Sequence, residues 1–355
     1  MAHETFESLP PFPDDIPTMP LVRLSLAKLL QHDGEEYRQF CRACEDIGFF
    51  YLDLRNQELG NSILSDADEL FRISEQLFAL DLQEKSKYDH SKKRSYYGYK
   101  PLGAGQVDEK GNLDSVEFYN IAKDDLFAVM EPLPQPDVIQ NNKDRLKSFV
   151  SNAHAIVRLI LDLLNEHLQL PPSTLANMHR FDHPSGDQIR MTRSPPQPMN
   201  DEVPRITGHT DFGSVTVLFN RLGGLQVLPP GQDAEWKWVK PLPGHCIINL
   251  GDSLVKFTNG LLRSNIHRVI SSPGAQAGST RYSLVYFSRP EDDVLLKRLQ
   301  GSTAIPPLPD GVVEEDVNSK DWIIRRALAR RTNLHDKVDW ESSRGTEQIS
   351  RRIKL

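Results

Sequence analysis

The stretch ITGHTDFGSV, residues 206–215, sets His209 and Asp211 two positions apart in an apolar, turn-rich run. On a β-strand that spacing puts both side chains on one face. A second histidine, His267, follows on a later β-rich run, SNIHRVIS. Two imidazoles and one carboxylate make a facial triad. That ligand set suits non-haem Fe(II) and leaves coordination positions open for small molecules. Zinc is the rival metal, because the same ligand types hold it. Each residue alone has a plainer explanation: a surface or core accident for the HxD triplet, a satisfied strand histidine for His267. Order, spacing and strand placement together favour the metal.

STRYSLVYF carries a second pair, Arg281 and Ser283, again two apart and so on one strand face. The guanidinium fork matches a carboxylate, and the serine adds a hydroxyl donor. An arginine buried beside a metal is costly without an anion. The pair therefore implies a small carboxylate reaching between arginine and metal, although a structural salt bridge would explain Arg281 alone.

Other polar residues read as structure first. His245 follows the Pro243-Gly244 turn. His179 and His183 are four apart, but Pro184 spoils a helix that would join them. Asp252, in NLGD, reads as a turn organiser, with support of the metal ligands as the alternative. Phe287 reads as core or pocket wall, and Tyr282 as less clearly placed. Tyr96, Tyr97 and Tyr99 are candidates to face a substrate from a loop. Cys41 and Cys44, flanked by Phe40 and Ile47, read as buried, reduced core residues.

The elements that must position these groups are legible in outline. From 188 to 290, short β-rich runs alternate with turn residues: SVTVLF, LQVL, WKWV, CIINL, HRVI and YSLVYF. Such spacing predicts a sandwich or barrel. Asn259-Gly260 reads as a hairpin turn, and no helical pattern shows between these strands. Helical periodicity runs through Tyr37, Phe40, Cys41, Cys44 and Ile47, and through Leu64, Ala67, Leu70, Phe71, Leu77 and Phe78. GFFYLDL, after Gly48, predicts a strand between them. The longest helix is expected over 143–168, with Asn142 as its cap. Residues 1–20 read as extended, 84–115 as a polar loop that could reach a pocket, and 320–333 as a helix with an arginine cluster that includes Arg330 and Arg331. The class is mainly β with flanking helices. The expected division is an N-terminal α/β region (1–120), a supporting helix region (121–187), a β catalytic core (188–290) and a helical extension (291–355).

Composition narrows the partners. Of 355 residues, 38% are hydrophobic and 26% charged, the balance of an ordinary globular chain. A net charge of -7 offers no field for nucleic acid. No apolar run is long enough for a membrane span. The start lacks the basic and apolar parts of a signal peptide, and three cysteines make no disulfide framework. A small-molecule substrate in the cytoplasm is the expectation; oligomeric state is not legible.

The same residues carry a resemblance. HTD at 209–211, IHRV at 266–269 and RYS at 281–283 resemble the 2-oxoglutarate and Fe(II)-dependent dioxygenases, in particular the isopenicillin N synthase-like branch. GLQVLPP, WKWVKPLPGHCIINLGDSLVKFTNG and the closing FSRP are similar to the family's core. IPTMPLVRLSLAKLL, CRACEDIGFFYL, LFALDLQEKSKY and YYGYKP are similar to its leading domain, so that the likeness spans residues 16–330. The resemblance implies a double-stranded β-helix (jelly roll) core, with His209, Asp211 and His267 as iron ligands. It implies that Arg281 and Ser283 bind the distal carboxylate of 2-oxoglutarate. The implied reaction uses O2 to hydroxylate or desaturate a small molecule, of secondary metabolism by analogy, releasing succinate and CO2. One departure stands out. Thr192 and Ser194 occupy positions where the family usually has Asn and Tyr, and serine is too short to reach as far. This leaves open an alternative: an Fe(II)-dependent oxidase of the same fold that does not use 2-oxoglutarate.

Overall fold

The computed structural model describes residue 6 and residues 8–197, 204–231, 234–329 and 345–346. Among these residues, twelve strands form two sheets. They are β1 (Arg23–Ser25), β2 (Phe49–Asp53), β3 (Gly98–Lys100), β4 (Glu117–Ala122), β5 (Gln188–Ser194), β6 (Ile206–His209), β7 (Val215–Asn220), β8 (Leu225–Val227), β9 (Lys237–Trp238), β10 (His245–Leu250), β11 (His267–Val269) and β12 (Arg281–Ser288). The large sheet runs β1-β2-β10-β7-β12-β5-β4-β3 and the small one β6-β11-β8-β9. Only β1 and β2 pair in parallel. Residues from both sheets line one cavity. This is the double-stranded β-helix, flanked by helices.

Strand periodicity decides which residues reach that cavity. On β12, Arg281, Ser283, Val285 and Phe287 line it, while Leu284 and Tyr286 enter the main apolar core. β7 repeats the pattern, with Thr216 and Leu218 inside and Val217 and Phe219 in the core. So does β5, where Arg190 and Thr192 face the cavity and Ile189 and Met191 the core. The two longest helices, Glu58–Ala79 and Lys143–His167, cover the core face of the large sheet. The second buries Leu146, Phe149, Val150, Ala153, Ile156, Val157, Ile160 and Leu164, the face its periodicity marks. Asn142 stands at its start, but its side chain donates to Val138 O at 2.7 Å and caps nothing.

Gly48 joins the helix Gly34–Asp46 to β2. It adopts φ 69°, and a Cβ there would lie 1.9 Å from the Arg263 carbonyl oxygen. Gly48→Ala should therefore cost more than about 1 kcal/mol, read as a lowered denaturation midpoint.

Several expectations need correction. Asn259-Gly260 closes no hairpin. A six-residue helix, Asp252–Phe257, lies between β10 and β11, and Asn259 (φ 47°) and Gly260 (φ 80°) end it, with Gly260 N–H donating to Val255 O. Asn-Gly supplies positive φ, which a helix stop needs as much as a hairpin does. The stretch 84–115 is not all loop, since it contains β3, an edge strand too short to show alternation. The C-terminal helix spans Ser319–Leu328; the predicted remainder, with Arg330 and Arg331, lies outside the described residues, as do residues 1–5 and 7 of the extended start. Among the described residues no helix is long and apolar enough to cross a membrane.

Candidate active site

β6 and β11 pair antiparallel with His267 opposite His209. That register sets the two imidazoles 4.3 Å apart, centroid to centroid. The chain turns after β6, and the Asp211 backbone carbonyl accepts from Asp252 N–H at 2.8 Å. Asp211 Oδ1 is then 3.9 Å from His209 Nε2 and 3.8 Å from His267 Nε2. These separations are too long for hydrogen bonds. Three donors therefore converge on a gap without satisfying one another. Among the described residues this is the grouping of His, Cys, Asp or Glu that could hold an ion, its ligand atoms within 4.8 Å of one another.

The outer atom of each group is tied in a way that fits a metal. His209 Nδ1 lies 2.8 Å from Thr207 O, and His267 Nδ1 lies 3.1 Å from Asn265 O. A ring nitrogen facing a carbonyl carries the proton, so these contacts assign the Nδ1–H tautomer and turn each Nε2 lone pair inward. Asp211 Oδ2 accepts from Thr216 Oγ1 and from Asn249 Nδ2, each at 2.7 Å, which leaves Oδ1 facing the imidazoles. Burial alone would push the Asp211 carboxyl up. The positive charge that His267 and His209 carry when protonated, with the Asn249 and Thr216 hydrogen bonds, outweighs burial and holds it below the usual carboxylate range; beside neutral imidazoles a bound cation would take the same part. Two inward imidazole nitrogens and one ionised oxygen are the donor chemistry of a mid-series divalent ion.

Thr216 and Asn249 are functional candidates that the sequence reading missed. Their signal was partial: each interrupts an apolar run, Thr216 in VTVLF and Asn249 in CIINL, and they pair across β7 and β10. Asp252 also changes role. It starts the short helix, is fully buried, and accepts from Thr210 Oγ1 at 3.0 Å and Thr346 Oγ1 at 2.8 Å. Burial pushes its carboxyl up, against the pull of Arg326. It thus grips the residue between His209 and Asp211, in line with the support of the metal ligands that was the alternative to a turn organiser.

Arg281 and Ser283 line the same cavity as the triad. Arg281 is 4% exposed and donates from Nε to Gly223 O at 2.8 Å. Burial, with the charge of Arg205 added, pulls its guanidinium down to about 10, and no carboxylate contributes to the shift. It remains a cation at neutral pH with no anion beside it among the described residues, an arrangement that calls for a bound carboxylate. Thr192 lines the cavity opposite Ser283, and Ser194 lies opposite Arg281. Ser194 is buried and its Oγ has no partner.

Phe287 is cavity wall, whereas Tyr282 packs against Phe78. Tyr96, Tyr97 and Tyr99 are not among the cavity's lining residues. Tyr96 and Tyr99 are buried, Tyr96 bonds Tyr97, and Tyr99 donates to Glu117. Their hydroxyls serve buried polar networks, which aromatic spacing alone cannot distinguish from a binding face. His179 is held between Leu175 O and Ser214 Oγ, His183 pairs with Asp182, and His245 Nδ1 meets Pro243 O. All three stand outside the site. Cys41 and Cys44 are buried and free.

With this geometry, comparison with known proteins is informative. Residues 185–290 match the 2OG-Fe(II) oxygenase superfamily, and residues 19–142 match the N-terminal family described as non-haem dioxygenase in morphine synthesis. A 2-oxoglutarate-dependent dioxygenase from Aspergillus fumigatus is 34% identical over 335 residues, covering 86% of this chain and 84% of that protein. The chain belongs to the 2OG-Fe(II) oxygenase superfamily. It is an enzyme that uses Fe(II), 2-oxoglutarate and O2 to oxidise a small molecule. A second 2OG-Fe(II) relative, from Dothideomycetidae sp., is 31% identical over 303 residues, covering 85% of this chain and 88% of its own. Solved structures share the fold. The full-length Neurospora crassa protein crystallised with alpha-KG superposes with TM-score 0.73 at 21% identity, over 89% of this chain and 98% of its own. The dioxygenase for auxin oxidation in rice gives TM-score 0.62 at 21% identity, over 88% and 97%.

Proposed function

We propose that His209, Asp211 and His267 hold the Fe(II), that Arg281 and Ser283 bind the distal carboxylate of 2-oxoglutarate, and that the enzyme hydroxylates or desaturates a secondary metabolite. We place it in the isopenicillin N synthase-like branch. One observation carries this reading: three mutually unbonded metal donors share a cavity with a buried arginine that has no anion beside it among the described residues. The succession of an N-terminal dioxygenase region and an oxygenase core supports the branch. Relatives that are fungal 2-oxoglutarate-dependent dioxygenases support the metabolite class.

When bound, Fe(II) with 2-oxoglutarate and O2 supplies the oxidation of an unactivated C–H bond, with succinate and CO2 as coproducts. The chain does the rest. Thr216 and Asn249 aim the Asp211 carboxylate and help keep it ionised. The Nδ1–H bonds to Thr207 O and Asn265 O fix both imidazole planes. Arg281 and Ser283 set the direction in which the cosubstrate lies. Phe49, Leu218, Leu225 and Phe287 give the cavity apolar walls that exclude water and suit a largely apolar substrate. Asn249→Ala should weaken Fe(II) binding about 10- to 100-fold without abolishing it, as measured by anaerobic metal titration.

The division at 120, 187 and 290 is retained as a reading of organisation, although β1 to β4, from before residue 123, extend the core's large sheet. Cytoplasmic residence is proposed on the three cysteines, all buried and free. The test of function is an aerobic screen of candidate metabolites with Fe(II) and 2-oxoglutarate. Succinate formed in step with an oxidised product supports the reading. Substrate oxidation without 2-oxoglutarate would favour the oxidase alternative.

A further inference from the structure

A second buried arginine lies within electrostatic reach of Arg281. Arg205 immediately precedes β6, and its backbone N–H donates at 2.8 Å to the carbonyl of Val269, a cavity-lining residue. Its side chain turns toward β5, where Nη1 donates to Pro195 O at 2.7 Å. The residue is 4% exposed, and its Nε has no partner. Pro195 follows Ser194, the residue opposite Arg281 whose buried Oγ also lacks a partner. Arg205 is near enough for its charge to act on Arg281. Burial shifts the Arg205 guanidinium downward, and no carboxylate among the described residues offsets it.

Two like charges buried side by side repel, and each is expensive to remove from water. Both costs fall when an anion enters between or beside them. Behind the Arg281 end of the cavity lie a second cation, Arg205, and one unsatisfied hydroxyl, that of Ser194.

We propose that Arg205 is a positioning residue that places a second positive charge at the Arg281 end of the cavity and thereby selects a cosubstrate with a distal carboxylate. The proposal rests on the functional reading above and deepens it.

The experiment compares two ligands of the anaerobic Fe(II)-loaded protein by calorimetry. One is 2-oxoglutarate; the other is 2-oxopentanoate, which keeps the chelating end and lacks the distal carboxylate. Arg205→Gln can keep the Pro195 hydrogen bond while removing the charge, and Arg205→Lys keeps the charge. The wild-type protein should prefer 2-oxoglutarate. Arg205→Gln should lose about tenfold or more of that preference, the size of one charge-assisted contact. Its affinity for 2-oxopentanoate should stay within about twofold of wild type, and Arg205→Lys should restore most of the preference. An unchanged preference in Arg205→Gln overturns the proposal. So does an equal loss for both ligands, which would mark a packing role. Should Arg205→Gln fail to fold, Arg205→Lys decides alone: a preserved preference supports the proposal, and a lost one overturns it. A wild-type protein that binds 2-oxopentanoate as well as 2-oxoglutarate defeats the role of Arg281 first, which separates failure of the functional reading from failure of this inference.

Discussion

His267→Ala should abolish Fe(II) binding and lower turnover by about 10³ or more, with the fold retained. The imidazole supplies one of three donors, and the remaining two are 3.9 Å apart. No described Cys, Asp, Glu or third His stands within the group to replace it. The loss is chemical more than structural. His267 Nδ1 meets only the Asn265 carbonyl of its own segment, and its ring rests edge-on against Phe49 at 5.3 Å between centroids. Circular dichroism should therefore be unchanged while anaerobic titration shows no bound iron. The contrast with Asn249→Ala is informative, because that substitution removes only a hydrogen bond to Asp211 Oδ2 and should produce a graded loss.

The second large effect separates cosubstrate from metal. Arg281→Met should weaken 2-oxoglutarate binding about 10²- to 10³-fold, the size of a buried charge-assisted carboxylate contact. Fe(II) affinity should stay the same. Without 2-oxoglutarate, the variant should be at least as stable as wild type, because it removes a buried cation that has no anionic partner among the described residues. The Gly223 carbonyl that Arg281 Nε uses is also bonded by Ser272 Oγ at 3.0 Å, so it is not orphaned. With saturating 2-oxoglutarate the order should reverse, since ligand stabilises only a protein that binds it. Thermal denaturation with and without the cosubstrate reads both effects. Parallel losses of iron and 2-oxoglutarate would mean that Arg281 is structural.

The parts of this site that were legible in the sequence are those written in short spacing. His209 with Asp211, and Arg281 with Ser283, declare themselves because a period of two fixes a shared face without knowledge of the partner strand. β12 shows how far that rule extends: Val285 and Phe287 continue the cavity side, and Leu284 and Tyr286 the core side. Contacts set by register between distant strands were not legible. Thr216 and Asn249 face Asp211 only because β7 and β10 pair at that offset. The Asp252 helix was missed because six residues are too few to show a helical period. Arg205 gave no signal at all, since a single arginine before a strand reads as surface until its burial is known. Tyr96, Tyr97 and Tyr99 misled for the opposite reason: an aromatic cluster in a polar stretch suggests a binding face, yet here it fills the interior beside β4 and β5.

The most direct test of the central claim is anaerobic titration of metal-free protein with Fe(II) and then 2-oxoglutarate, followed by visible absorption. The wild-type protein should take up one Fe(II) per chain and develop a weak charge-transfer band only when 2-oxoglutarate is added, with both absent in His267→Ala. Equal iron binding by His267→Ala, or an iron-loaded wild-type protein that develops no band at saturating 2-oxoglutarate, would contradict it.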